Sequence, residues 1–402
     1  MADLELVLFD DDVARDWYPL TLTRPAGELL FGTMTLRERL EAVTGASCSG
    51  YITSPLLSGF DEAGAPPVLD GPARTSNTAR LYLSSRCVLH FDVDVDVSTE
   101  ATYRVGDRLA GWLVPPGAAP PGEADLHEPR TARGHDIVLG GTLLGNIWDL
   151  VHHNPDHVAS DILHMQSSSK PGPAPEHAHV MGKYPLICGD DVIVEPGVVF
   201  EVSGGPVWLD DGVRVQAGSR VVGPMYVGKD TTLLGGSYTH CSIGPKCKVH
   251  GEIEASVVLG YSNKSHDGFL GHAYVGKWVN LGALTTNSDL KNNYSTVRVH
   301  TPHGTVDTGQ IKFGSLIGDH VKTAIGTLLN TGTVIGPGAN VFGGMPPKHV
   351  PPFHWGDGEY ELDKFLETAQ RVMQRREVAL SAAQRGLLTR VYQDARAQKQ
   401  RQ

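Results

Sequence analysis

An aliphatic or small residue recurs at every sixth position from Ile317 to Val341, through Thr323, Leu329 and Ile335, and a glycine directly follows Ile317 and Ile335. A period of six fits neither a helix at 3.6 nor a strand alternating at two. It is the hexapeptide repeat of a parallel β-helix, in which six residues make one short strand and a turn. Three such strands close a triangular coil, with the sixth residue pointing to the axis. The phase recurs upstream at Val192 and Val198, Val207 and Val213, Val227 and Leu233, Ile243 and Val249, and Val275 and Leu281. It begins near Tyr184 and stops at Pro346-Pro347. One interruption, Asn287 to Gln310, contains the alternating run Val297-Arg298-Val299 and predicts a loop with a projecting hairpin. Loops of that length inside a compact repeat are usually functional.

Ahead of the repeats the pattern changes. Asp3 to Phe9 reads as a strand entering a polar turn at Asp10-Asp11-Asp12, and Thr35 with Glu38 forms a capping-box start for a helix through Ala42. Strands are expected at Leu81–Leu83 and at Val88–Val97, the second with Asp92, Asp94 and Asp96 on one face. Asp136 to Val151 is mostly apolar and reads as a helix, and Ser167 to Pro175 as a linker rich in serine, proline and glycine. After the repeats, Leu362, Leu366, Ala369 and Met373 stand at helical spacing within Glu359–Ala397, which predicts amphipathic helices packed on the coils. The expected architecture is mainly β: an α/β domain at 1–165, a linker at 166–183, a left-handed β-helix at 184–350 and a helical segment at 351–402.

Composition fits short strands joined by glycine turns, with Gly 47 and Pro 26 against 40% hydrophobic residues. A net charge of -11 argues against a nucleic-acid surface. Met-Ala-Asp-Leu-Glu lacks the basic start of a signal peptide, and no apolar run reaches the roughly 18 residues of a membrane span, so a cytoplasmic protein is expected. The five cysteines are scattered without a CxxC pair, which indicates reduced thiols and no zinc site.

Chemistry belongs on faces, loops or subunit seams, because the coil axis is apolar. Asn263 to Gly271 carries His266, a candidate general base, since an ordinary imidazole is largely neutral at pH 7. Asn280, the small Ala283 and the cation Lys312 form a second candidate set, placed to meet a flat, phosphate-bearing ligand.

Through His266, Phe269-Leu270-Gly271, Val279 to Ala283, Lys312-Phe313 and Ile317-Gly318-Asp319, this stretch resembles the acetyltransferase domain of the bifunctional glucosamine-1-phosphate N-acetyltransferase/UDP-N-acetylglucosamine pyrophosphorylases. The whole chain looks like a shorter form of that family, a sugar nucleotidyltransferase, through Leu20 to Pro25, Trp148-Asp149, Gly260 to Lys264 and Leu290 to Tyr294. The resemblance implies a left-handed β-helix that trimerises, with acetyl-CoA between neighbouring subunits. The left hand would be an exception to right-handed crossovers. His266 would take a proton from the amine of an amino sugar, backbone N–H groups would hold the oxyanion, Asn280 and Ala283 would orient the acetyl and pantetheine end, and Lys312 would meet CoA phosphates. Phe269 stands where the family has a tyrosine, and Glu254 where it has a phosphate-binding lysine. Lys264 and Lys291 are expected to replace the missing cations, with Asn292 and Asn293 beside them at the substrate.

In the first domain, Phe9 to Asp12 replaces the glycine-rich phosphate loop of nucleotidyltransferases, and no lysine follows Arg24-Pro25. Arg24 could meet a phosphate and Asp10 or Asp11 could hold Mg²⁺, although acidic residues after a strand are more often turn formers. Two other readings compete. A γ-type carbonic anhydrase needs zinc-binding histidines five residues apart, and His240, His250, His266, His272, His300, His303 and His320 contain no such pair. A non-catalytic trimeric scaffold that senses a nucleotide sugar would have little use for the long Asn287–Gln310 excursion.

Overall fold

The structure is a computed structural model. It describes residues 4–401 apart from 70, 72–74, 96–97, 167–174 and 357, so Asp96, Val97 and residues 167–174 of the expected linker lie outside the described residues. The chain divides into two compact units. One comprises Met1–Leu29, Met34–Ile147 and Ser381–Val391; the other comprises Leu30–Thr33, Trp148–Leu380 and Tyr392–Gln402.

The first unit is built on a six-stranded sheet of β1 (Leu4–Phe9), β2 (Cys48–Ile52), β3 (Ala79–Ser84), β4 (Ala101–Val105), β5 (Arg108–Val114) and β6 (His135–Leu139), in the order β2-β1-β3-β5-β4-β6. β1 is parallel to both β2 and β3, and β5 is antiparallel to β3 and β4. Alternation along β1 sends Leu6 and Leu8 to one core and Val7 and Phe9 to the other, so both faces are covered. Helix α1 (Leu36–Thr44) starts on the expected capping box, with Thr35 Oγ1 accepting from the Glu38 amide at 3.2 Å and Glu38 Oε2 accepting from the Thr35 amide at 2.8 Å.

Two sequence expectations are corrected here. The stretch from Asp136 is not a helix: β6 pairs with β4, Gly141–Leu143 pairs with Cys87–Leu89, and helix appears only at Asp149–His152. Paired glycines at 140–141 break any helical run, and a Cβ on Gly141 would lie 2.4 Å from the Val88 carbonyl oxygen. Among the described residues of the strand expected at Val88–Val97, strand is limited to the end of Cys87–Leu89 by that same pairing.

The second unit is a parallel solenoid. One face is a nine-stranded ladder running from Leu186–Cys188 to His349–Val350. Ile317 stands beside Ile335, three hexapeptides on, and Ile317, Leu329, Ile335 and Val341 are all buried on the axis with Thr323. Each aliphatic side chain so buried stabilises the coil by about 1.5–3 kcal/mol. The coils reach beyond the six-residue rhythm at both ends, on other faces: His179–Gly182 pairs with Val199–Val202, and Trp355 pairs with Asn340. Proline disguises the upper extension, because Pro346-Pro347 and Pro351-Pro352 occupy turns between rungs rather than ending them. The excursion projects as expected, with Arg298–Thr301 antiparallel to Gly304–Asp307.

Around the coils, helix α2 (Asn154–Gln166) and Leu30–Thr33 meet in a buried polar knot. Asn154 accepts from the Gly32 amide at 2.9 Å and donates to Ser242 Oγ at 2.9 Å, while Ser242 donates to the Gly32 carbonyl at 2.6 Å. Helix α3 (Leu362–Gln374) turns Phe365, Leu366, Ala369 and Met373 inward, with Phe365 edge-on to Phe353 at 5.0 Å. Helix α4 (Ala382–Arg401) contributes Tyr392 to the same aromatic group, 5.0 Å from Phe353.

Candidate active site on the coil face

Strand Phe269–Gly271 lies beside Glu252–Glu254 on a different face of the solenoid from the nine-stranded ladder described above. Leu270 is buried on the axis, so Phe269 and Gly271 face outward. The chain then turns a corner at His272, whose φ is +47°; Ala255 and His240 take the same corner in the two preceding coils, also with positive φ. One coil further on, strand geometry is supplied by a side chain. Asn287 Oδ1 accepts from the Gly271 amide at 2.8 Å, and its Nδ2 donates to the Gly271 carbonyl at 2.9 Å. The Thr286 hydroxyl does the same work for the Phe269 amide at 3.0 Å.

This register sets Asp289 against the corner. His272 Nδ1 donates to Asp289 Oδ2 at 2.8 Å, and Asp289 as a residue is only 8% exposed. Burial pulls against its charge, yet the His272 hydrogen bond and the nearby charges of His272 and Lys312 hold the Asp289 carboxyl below the ordinary range. The Phe269 ring lies over Gly271 next to the same carboxylate: a Cβ on Gly271 would stand 2.3 Å from Phe269 Cζ and 2.8 Å from Asp289 Oδ2. Lys312 Nζ donates to Glu254 Oε1 at 3.1 Å, and the Phe313 amide donates to the Asp289 carbonyl at 2.8 Å. Phe269 and Lys312 therefore come together, joined by Glu254, His272, Asp289 and Asn287.

His266 sits at the opposite end of the strand, on an exposed turn. Among the described residues its ring has no hydrogen-bond partner, whereas its carbonyl accepts from Lys264 Nζ at 2.8 Å. Lys264 is not on the surface. It pairs in register with Val249, so its stem takes the axis-facing slot, and its ammonium emerges between the His250 and His266 carbonyls. Burial pushes its amine down to about 8, with Asp267 pulling the other way. The residue expected to bind a phosphate thus braces the corner that carries His266. Beside it, His250 donates or accepts at both nitrogens, with Asp267 at 2.9 Å and the Leu234 carbonyl at 3.1 Å, and so has no ring position left for a substrate.

The remaining candidates are dispersed. Asn280 is exposed in a column with Asn263 and Lys322, and the Ala283 carbonyl is held by the Gly326 amide at 2.8 Å. Lys291 closes its own loop on Ser295 Oγ and the Thr296 carbonyl. Asn293 folds back on the Ser295 amide and hydroxyl, and Asn292 is exposed.

In the first unit, the C-terminal ends of β1, β2 and β3 converge on Asp10, Thr53 and Ser85. Asp10 Oδ2 accepts from Thr53 Oγ1 at 2.5 Å and from the Ala26 amide at 3.2 Å, and burial pushes its carboxyl up. Asp11 caps the helix Asp12–Arg15 and is held by both of its oxygens to Arg86 Nε at 2.9 and 2.8 Å. Arg24, 1% exposed, is paired with Glu62 at 2.9 Å. With Asp11 neutralised by Arg86 and Asp10 sealed, these two carboxylates do not fit Mg²⁺ as they stand. Among the described residues no group of three acidic, histidine or cysteine side chains could hold a metal.

Residues 6–170 match the family model of the sugar nucleotidyl transferases. The chain is 26% identical over 196 residues to the bifunctional protein GlmU of Nitrosospira multiformis, covering 43% of this chain and 38% of the relative. It is 28% identical over 188 residues to GlmU of an Azoarcus species, covering 41% and 38%. It is 30% identical over 93 residues to the bifunctional sugar-1-phosphate nucleotidylyltransferase/acetyltransferase of Sulfurisphaera tokodaii, covering 23% of each. The alignment spans under two-fifths of the length of these curated relatives. The solved Arabidopsis UDP-N-acetylglucosamine acyltransferase is similar at 16% identity, over 51% of this chain and 80% of that one, with a TM-score of 0.23. No helix of the described residues is long and apolar enough to cross a membrane.

Proposed function

We propose, on the premise that residues 6–170 form a domain of the sugar nucleotidyl transferase family in a chain similar to the bifunctional GlmU proteins, that the coils transfer an acetyl group from acetyl-CoA to an amino sugar. The acceptor amine belongs to an amino-sugar phosphate or a nucleotide-linked amino sugar. The supporting observation is the imidazole of His272 fixed by a buried carboxylate on the outer wall of the solenoid, beside Phe269 and Lys312. Such a wall offers what acyl transfer to nitrogen requires: a proton acceptor, an apolar ring to exclude water, and a cation near a phosphate-bearing cosubstrate. In this reading three chains assemble and acetyl-CoA lies along the seam, near Asn280 and Ala283, with the protein working in the cytoplasm. The resemblance assigns the amine proton to His266, and the experiment closing the next subsection separates that assignment from another one.

Nucleotidyl transfer is the activity that the family match favours for the first unit. A sugar or nucleoside phosphate would have to draw Arg24 away from Glu62 to use its charge, and no step here is routed through Mg²⁺. Thiol release from acetyl-CoA with a panel of amino sugars and their phosphates tests the coils. Pyrophosphate release from UTP or dTTP with sugar-1-phosphates tests the first unit. No thiol release with any acceptor would favour a scaffold instead, which trimerises without turnover.

A further inference from the structure

We infer that His272, oriented by Asp289, is the general base for acetyl transfer; the inference rests on the acyl-transfer reading above. Three features taken together separate His272 from the other histidines of the coils, since His250 also meets a carboxylate. Its Nδ1 faces a carboxylate at 2.8 Å. A carboxylate in its charged form can only accept, so Nδ1 carries the hydrogen, and whenever the ring is neutral its lone pair lies at Nε2. Second, the orienting carboxylate is sheltered, with a side-chain exposure of 11% against 77% for Asp267 beside His250, and the His272 ring itself is 16% exposed. That is the arrangement by which a buried acid fixes the tautomer of a base and stabilises the imidazolium it becomes. Third, the pair is sheltered by Phe269 and backed by Gly271, where no side chain would fit without displacing ring or carboxylate.

His250 and His266 lack one element each. Both nitrogens of His250 are already engaged, and neither nitrogen of His266 is oriented by a described residue. The charged and titratable groups around His272 are Asp289, Glu254, Lys312, His240 and His152. Burial, against the pull of Glu254, lowers the pKa of His240.

In the step this geometry supports, the neutral amine of the sugar attacks the thioester carbonyl carbon as Nε2 of His272 takes one amine proton. The C–N bond forms and the carbonyl electrons move to oxygen. Collapse of that intermediate breaks the C–S bond, and the proton on Nε2 passes to the leaving thiolate. Acetyl-CoA and amine become amide and free CoA thiol, and His272 returns to its neutral form.

The test uses the full chain, acetyl-CoA and the best acceptor from the panel. His272→Gly suits the positive φ and leaves space for an added imidazole beside Asp289. It is expected to lower kcat at least about 100-fold with the acetyl-CoA KM within twofold, and imidazole is expected to restore turnover saturably. Asp289→Asn is expected to lower kcat about tenfold or more, and His266→Ala to cost less than His272→Gly. Full activity in His272→Gly with loss in His266→Ala overturns the assignment alone. So does loss in His272→Gly that imidazole does not restore, with Asp289→Asn at full rate. Absence of thiol release from the unaltered chain with every acceptor overturns the acyl-transfer reading and this assignment with it.

Discussion

The ring of His300 stacks on the ring of His349, with centroids 3.6 Å apart and planes 15° from parallel. The first stands on the projecting hairpin, the second on the last rung of the ladder. Burial, and then the neighbouring His300, push His349 down to about 4 from an ordinary 6.5. A depressed value means the folded state favours the neutral ring, so its stability contribution is present above pH 6.5 and is lost as pH falls through 4. The melting temperature is therefore expected to drop between pH 6.5 and 4 more steeply in the unaltered chain than in His349→Phe. Equal slopes in the two proteins would remove this stack from the account of acid sensitivity.

Lys264→Met tests the axis-facing lysine. Methionine fits the apolar slot that Lys264 shares with Val249, but the His250 and His266 carbonyls lose their donor. A loss of about 1–3 kcal/mol in urea unfolding is expected, with the acceptor KM unchanged. A KM raised tenfold at unaltered stability would instead mean that the ammonium reaches substrate.

Gly271→Ala should separate site from scaffold. Its φ is ordinary, so the strand accepts alanine, but the new methyl would collide with Phe269 and Asp289. We expect kcat for thiol release to fall about tenfold or more, since about 1.4 kcal/mol of misplacement already costs that much. Wild-type kcat in this variant would show that Phe269 and Asp289 play no part in turnover.

Asp11→Asn should be costly in the first unit. It leaves Arg86, 6% exposed, facing an amide instead of a carboxylate. Breaking a buried pair from one side costs about 3–5 kcal/mol. Chemical unfolding followed by tryptophan fluorescence would register it, and a change under 1 kcal/mol would count against Asp11 as a structural anchor.

The solenoid was legible because its axis wants an aliphatic or small side chain at each sixth place, a rule that Ile317, Leu329, Ile335 and Val341 keep with aliphatics and Thr323 with a small residue. Lys264 escaped it because a hydrophobic pattern skips a lysine even when the stem of that lysine fills an apolar slot. The His272 corner escaped because its partners are joined by stacking rather than by local sequence. Yet a signal existed: His250 meets Asp267 and His272 meets Asp289, in both cases 17 residues apart, close to one full coil. Pairing titratable residues at that interval would have found both. The helix expected at Asp136–Val151 failed for a different reason, since apolar content was weighed above the alternation of Ile137 and Leu139 with their neighbours.

Asn287 has a consequence for how such a chain can change. By presenting its amide to Gly271 as a peptide group would, it lets the wall continue while the backbone departs and later returns at Phe313. The coil is closed there by a borrowed link. The present excursion returns with the next rung in register, Val275 beside Ile317, which makes this joint the natural place for new specificity to be inserted.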